Sequence, residues 1–566
     1  MPKPSRYTRL RNIFLGYLFF FLFLIINIIY VQLVKYPHLS SLARRQHNLI
    51  IKLDPIRGTI YDCNMRPVAF SINLESIYAN PRMIKDPVKV ASLLAGVLPV
   101  DRTALIKRFT KDKAFVWVAR KVPAEIAEKV KALDLDCVGF IKEPKRFYPN
   151  GKMACHIIGF AGLDNVGLEG VEAICDSYLK GKPGWHFTKQ DAKQRELPSY
   201  KNKLILPVDG FNVVLTIDMV LQNIAEMQLD VIMQKHHPKA ATIIVLEPST
   251  GKILALANRP NFLPNRFQDF GPLARKNRAV TDIFEPGSVF KMVTASAALD
   301  EGKARISDKF FCENGKYKPI PSYTLHDFHP YGWLTFRQVI EKSSNIGVGK
   351  IARIIGPDVL HKYIKAYGFG QKTGIDLAGE VSGIVRPPSK WSKTSPWNIP
   401  IGQEVAVTSI QAVSAISAIA NNGVLMRPYV IYRIQDSKGQ VIASSLPKTV
   451  RRVLAEKTAR QMQDILSGVV ENGTGTQAKI KGYRVTGKTG TAQKVEPSGR
   501  YSQDKYVGTF VGFAPSEGSM LACIVTVDEP QPIHFGAVVA APAFSKIVGQ
   551  AIEYLKTKSV MSRAAL

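Results

Sequence analysis

The chain is predicted to be an anchored α/β protein: an N-terminal transmembrane helix, a mixed α+β pedestal, and a larger domain in which helices cover both faces of an antiparallel sheet. Three observations predict this. Ile13 to Val34, IFLGYLFFFLFLIINIIYVQLV, is a run of 22 residues without a charged side chain, long enough to cross a bilayer core. The 566 residues exceed what one ordinary hydrophobic core organises, so two or three domains are expected. Beyond about residue 210 the chain opens with a strand, a helix and a hairpin and closes with three strands and a helix, the pattern of a sheet that draws strands from both ends of one segment.

At the start, Lys3, Arg6, Arg9 and Arg11 precede the apolar run. The positive-inside tendency keeps residues 1–12 in the cytoplasm and puts everything after about residue 35 outside. A cleaved signal peptide would have a shorter apolar region ending in small residues. This run, 13–34, ends in YVQLVKYPHL and reads as an uncleaved anchor. The formal charge of +31 would suggest nucleic acid in a cytoplasmic protein. Outside a bacterial membrane the nearby polyanions are lipid headgroups and envelope polymers, so a membrane and wall setting is expected and no nucleic-acid partner.

Residues 35–208 form the expected pedestal. PIRGTIYD begins a short strand, DPVKVASLLAGVLP and VPAEIAEKVKAL are amphipathic helices, and Arg146 to Glu172, glycine-punctuated, reads as a structural joint. Residues 209–240 make a linking strand and helix; 241–556 are the main domain, starting with the hairpin ATIIVLEPSTGKILALANRPNF; 557–566 are a tail. Cys63, Cys137, Cys155, Cys175, Cys312 and Cys523 include no C-x-x-C pair, and His236-His237 and the His326-Asp327, His329 group lack the spacing of a metal-binding helix. No metal or cofactor is expected, and the spacing of the cysteines does not pair them.

Within the main domain TDIFEPGSVFK sets Ser288 and Lys291 three positions apart behind Pro286-Gly287. Phe290, Val293 and Ala297 recur at helical spacing, so a helix is expected from Ser288 to Asp300, with Gly302 as its stop. Residues i and i+3 share a helix face, which brings the lysine within hydrogen-bonding reach of the serine. A serine hydroxyl attacks carbonyls only with an adjacent base, and the helix amino end favours an oxyanion beside it. A lone S-x-x-K arises by chance. Two further motifs follow: Ser343-Ser344-Asn345 at a junction between helical patterns, and Lys488-Thr489-Gly490-Thr491 in a strand. The ordered set S-x-x-K, S-x-N, K-T-G is the signature of penicillin-binding proteins and serine β-lactamases.

On these motifs the sequence resembles a class B penicillin-binding protein over nearly its whole exterior. RGTIYD and GLEGVE resemble the family's non-catalytic, dimerisation-type pedestal, and IGQEVAVTSIQAVSAISAIANNGVLMRPY its segment between the second and third motifs. NRAVTDIFEPGSVFK is similar to the cell-division, septal FtsI-like branch, whose serine follows Glu-Pro-Gly; the elongation branch more often has Pro-Pro-Gly. Cys63-Asn64-Met65 stands where the family usually continues Arg-Asn-Gly.

The resemblance implies a serine β-lactamase-like transpeptidase fold and a peptidoglycan D,D-transpeptidase. Ser288 would attack the penultimate carbonyl of a stem peptide ending in D-Ala-D-Ala, release D-alanine, and hold an acyl-enzyme until an amine of a neighbouring stem displaces it. Lys291 would be the base, made neutral by burial and by the charge of Lys488. Ser343 would relay a proton to the departing amine, and Asn345 would hold Lys291 and the substrate amide. Lys488 and Thr489 would pair with the donor carboxylate, Gly490 belongs to the same substrate-binding strand, and the NH groups of Ser288 and Thr491 would form the oxyanion hole. That strand would also pair with the extended stem peptide. β-Lactams would bind covalently, and a SEDS-family glycosyltransferase of the FtsW type, with other divisome proteins, is the implied partner at the inner membrane.

Three rival readings share the motifs. A β-lactamase or D,D-carboxypeptidase passes the acyl group to water, and needs neither anchor nor large pedestal. An elongation-type enzyme differs in where the wall is built. A catalytically inactive division scaffold or β-lactam sensor would not keep three intact motifs. SKWSKTSPWNIPIGQEVAVT holds one carboxylate, Glu404, read as a substitution within a family loop rather than a base for water.

Overall fold

The computed structural model describes residues 6–190, 196–197, 203–496 and 498–564. Lys3 of the basic leader and the last two residues of the tail lie outside the described residues. The chain divides into two compact units, residues 1–56 with 181–209, and residues 57–180 with 210–566.

In the first unit the helix Arg6–Ile29 runs on through a π turn, Tyr30–Val34. Phe, Leu and Ile occupy every face of it, so it has no inward stripe of the kind a surface helix buries. Arg6–Val34 is long and apolar enough to cross a membrane once. A helix, Tyr36–His47, and a small antiparallel sheet follow, in which Asn48–Leu53 pairs with Gly184–Gln190 and that strand with Lys203–Ile205.

The second unit holds the long strand Pro67–Ala79, flanked by Val116–Val122 and Val138–Phe147. The helices Pro87–Ala95 and Arg102–Phe109 begin at Asp86 and Asp101, whose carboxylates accept from first-turn NH groups. Ile60–Tyr61 pairs in parallel with Asn212–Leu215, so the RGTIYD segment enters a seven-stranded sheet. Below it, Arg57 Nε donates to Glu172 at 2.6 Å and its Nη1 to Asp176 at 2.7 Å, while Arg146 Nε reaches the other Glu172 oxygen at 2.5 Å. RGTIYD and GLEGVE are thus joined by one buried ion cluster. The Cys63-Asn64-Met65 turn closes with Met65 at φ +62°, and Asn64 Nδ2 donates to Asp218 at 2.8 Å.

The main sheet has five strands, β1 (Ala240–Leu246), β2 (Ile253–Arg259), β3 (Thr486–Val495), β4 (Tyr501–Ser516) and β5 (Ser519–Asp528), in the order β2-β1-β5-β4-β3 with every pairing antiparallel. β1 is buried at every residue. Ile243 and Val245 join the core under α1 (Met219–His236) and the C-terminal helix Ala541–Ala564. Ile244 and Leu246 face the other core, with α2 (Lys291–Asp300) and the helix Ser409–Ala420. The period of two explains why a strand covered on both sides reads as a continuous apolar run. All six cysteines are unpaired thiols, five of them buried.

Candidate active site

Three elements meet at one end of this sheet. The first differs from expectation: Ser288 is not in the α-helix but in a 3-10 turn, Gly287–Phe290, and α2 begins at Lys291. The cause is the entry backbone. Gly287 has φ +52°, and a Cβ there would lie 3.0 Å from the Thr491 carbonyl, so the turn is tightened against the third motif. Neighbouring segments hold it: Gly287 N donates to Gly402 O at 3.1 Å, and Glu404 N and Tyr501 OH donate to Glu285 Oε1 at 2.9 and 3.2 Å.

The second element is the junction of α3 (Phe336–Glu341) and α4 (Asn345–Ile355). Ser343 sits at φ +60°, a conformation a side-chain-bearing residue holds only under constraint. Ser344 is the N-cap of α4, its Oγ accepting from Gly347 N at 2.9 Å. The third element is β3, an edge strand of the sheet. A Cβ on Gly490 would lie 2.8 Å from Pro286 O and 2.9 Å from Val289 Cγ2, so only glycine lets β3 lie this close to the serine turn. Thr489 Oγ1 is 2.8 Å from Thr474 Oγ1, and Thr491 Oγ1 accepts from Gly536 N at 3.0 Å.

These elements bring two lysines to one hydroxyl. Lys291 Nζ donates to Ser343 O at 2.6 Å and Asn345 Oδ1 at 2.6 Å, with Ser343 Oγ at 3.1 Å. Lys488 Nζ donates to the same Ser343 Oγ at 3.0 Å and to Thr489 O at 3.2 Å. Both lysines are fully buried. The expected Lys291–Ser288 hydrogen bond is replaced by these contacts, because the 3-10 turn and the closely packed junction turn the ammonium toward Ser343. Burial lowers Lys291 to about 7, with the Asp327 carboxylate opposing the shift. Burial also drives Lys488 well below the ordinary lysine value, and the charge of Lys291 adds to that.

Two acidic residues escaped the sequence analysis. Asp327, grouped there only with histidines, accepts from Ser344 Oγ and from the NH groups of Asn345 and Ile346. Glu285, just ahead of the Pro-Gly step, is pushed up to about 7 by burial, with Glu404 repulsion adding to it. The Glu-Pro-Gly triplet was visible, but no local pattern announces a carboxyl buried by a loop over a hundred residues away. Glu285, Arg278, Arg386, Glu404 and Lys494 line a cavity of about 790 Å³ that none of Ser288, Lys291, Ser343 and Asn345 borders. Among the described residues no cluster suited to a metal ion occurs.

This architecture has relatives. The penicillin binding protein transpeptidase domain matches residues 241–549, and the penicillin-binding protein dimerisation domain residues 52–215. Stage V sporulation protein D of Bacillus subtilis is 36% identical over 94% of this chain and 83% of its own. The peptidoglycan D,D-transpeptidase FtsI of Escherichia coli is 31% identical over 92% of this chain and 86% of its own. Among solved structures, penicillin binding protein 3 of Mycobacterium tuberculosis, complexed with aztreonam, superposes with a TM-score of 0.69 at 27% identity, covering 89% of this chain and 97% of that one. The chain belongs to the class B penicillin-binding proteins. It is a peptidoglycan D,D-transpeptidase.

Proposed function

We propose that Ser288 is the nucleophile of this transpeptidase and Lys291 its base. The observation that carries the reading is the shared Ser343 hydroxyl between two buried lysines. Ser343 O and Asn345 Oδ1 can only accept, so they use two N–H bonds of Lys291. In the neutral amine the remaining position, directed at Ser343 Oγ in the resting site, is a lone pair, and Lys291 takes the proton Ser288 loses as its oxygen bonds to the penultimate carbonyl of the donor. The NH groups of Ser288 and Thr491 stabilise the oxyanion. Collapse breaks the amide bond, and the departing D-alanine amine receives the proton from Lys291 through Ser343. An amine of a second stem then attacks the ester, with the same groups moving its proton in reverse. Lys488 and Thr489 bind the donor carboxylate, whose charge raises Lys488 back toward its protonated form.

The finer setting belongs to the same proposal. The basic leader supports an N-terminus in the cytoplasm and a catalytic unit outside the inner membrane. The Glu-Pro-Gly before Ser288 and the 31% identity to FtsI support wall synthesis at the division septum, beside a SEDS-family glycosyltransferase of the FtsW type. The 36% identity to a sporulation protein favours one second reading, a wall made during sporulation. A fluorescent fusion that gathers at vegetative division sites supports the first, and one seen only in sporulating cells the second.

Ser288→Ala removes one oxygen from a half-buried position. It is expected to abolish covalent labelling by fluorescent penicillin with an unchanged melting temperature. Labelling that survives would sink the assignment.

A further inference from the structure

Asn345 is gripped at both ends by a segment outside the three motifs. Its side-chain oxygen accepts from Lys291, and its Nδ2 donates to the His326 carbonyl at 2.7 Å. Its backbone NH donates to Asp327 Oδ1, as does that of Ile346 at 3.0 Å. The other Asp327 oxygen accepts from Ser344 Oγ at 2.6 Å, and that hydroxyl caps α4. The first NH groups of a helix have no partner within it, and a carboxylate placed there also gains from the helix dipole. One carboxylate thereby fixes Ser344, Asn345 and Ile346 together, directly after Ser343.

We propose that Asp327 is a positioning residue of the transpeptidase site: its carboxylate clamps the start of α4 so that Ser343 and Asn345 present their oxygens to Lys291, and its charge tunes the basicity of that lysine. The proposal rests on the reading of Lys291 as the base. Loss of the clamp releases the Asn345 backbone, leaving only the side-chain contacts with Lys291 and the His326 carbonyl to hold its oxygen in place. Loss of the charge removes the one carboxylate field that opposes the burial of Lys291. The other groups around the pair are Lys488 on β3, Cys312 and Tyr331 beside Asp327, His326 at the end of the strand Tyr323–His326, His329 on the loop after it, and Lys350 on α4, which is committed to Glu313 at 2.5 Å. Glu285 titrates in the same range from the serine turn.

The test is the pH profile of the acylation rate with fluorescent penicillin in the full-length protein. Neutral Lys291 is the active form, so the rate rises with pH through the lysine's pKa. Asp327→Asn takes away a negative charge, lowers that pKa further, and is expected to move the acid limb to lower pH while the plateau falls about tenfold. Asp327→Glu keeps the charge and displaces the hydrogen bonds, and is expected to leave the limb near wild type with a lowered plateau. A residue that only caps the helix would lower the melting temperature in Asp327→Asn and leave the limb in place; that result overturns the proposal. So does Asp327→Glu moving the limb as far as Asp327→Asn. Failure of the underlying reading looks different: the wild type would show no acid limb, or the limb would vanish in Glu285→Gln.

Discussion

Two clusters of buried charge in this protein are built on opposite terms. In the pedestal, Arg57 and Arg146 meet Glu172, with Asp176, the Asn165 carbonyl and the Glu172 carbonyl taking further guanidinium NH groups. Each cation there faces a carboxylate at hydrogen-bonding distance. At the transpeptidase site Lys291 and Lys488 are buried as deeply, yet their partners are a hydroxyl, two carbonyls and an amide oxygen. A buried charge without a counter-charge gives way by shifting its pKa. The matched cluster holds geometry; the unmatched one holds two lysines that burial makes easier to deprotonate, which a base needs.

The comparison breaks most visibly at Lys291. Lys291→Ala is expected to slow penicillin acylation about 10³-fold, the usual worth of a general base, with little change in thermal unfolding. In the wild type, acylation should rise through a pKa of about 7. Its alkaline limb should fall below the ordinary lysine range near 10.4, because Lys488 is also depressed. Stopped-flow rates across pH measure both. An acid limb at the pKa of an ordinary lysine would mean the site is not desolvated in solution.

The matched cluster should fail in stability instead. Glu172→Gln leaves Arg57 with Asp176 as its carboxylate and takes from Arg146 the carboxylate its Nε binds. Breaking one partner of a buried pair costs about 3–5 kcal/mol. Denaturant unfolding should show that loss while the folded fraction acylates with the wild-type pH profile. A moved profile would show that the two clusters are coupled, and the distinction drawn between them would fall.

Much of this was legible before any coordinates. The three motifs, their order and their placement at a turn, a helix junction and a strand identified the residues that converge, because each motif occupies a distinct local structure. The strand pattern around β1 was readable for the same reason. The contacts between motifs were not. Ser288 falls in a 3-10 turn because Gly287 is pressed against Thr491, two hundred residues away. Lys291 and Lys488 meet at Ser343 because β3 lies against the serine turn at Gly490, where no side chain would fit. Asp327 lies on a loop with no periodicity, and its role exists only once that loop folds back onto α4. Close approach between distant segments has no local signature.

Glu404 gives the smallest and sharpest test. A hydrolase needs a carboxylate free to take a proton from water at the acyl-enzyme, and this was the acidic residue the sequence offered in that loop. Its oxygens are already occupied: Oε2 accepts from Arg386 and from Ser395 Oγ, each at 2.5 Å, and Oε1 from Asn398 Nδ2 at 2.8 Å. A carboxylate paired with a guanidinium and two further donors is a poor base. The residue also sits at φ +60°, and its NH holds Glu285, so its work is to brace the loop behind the serine turn. Glu404→Gln keeps that backbone and most of those contacts. It is expected to change the lifetime of the penicillin adduct on Ser288 by less than about twofold, well under the 10²-fold or more that loss of a general base brings. Mass spectrometry after a brief penicillin pulse follows the adduct directly. An adduct that decays rapidly in the wild type and persists in Glu404→Gln would make this carboxylate a water-activating base after all.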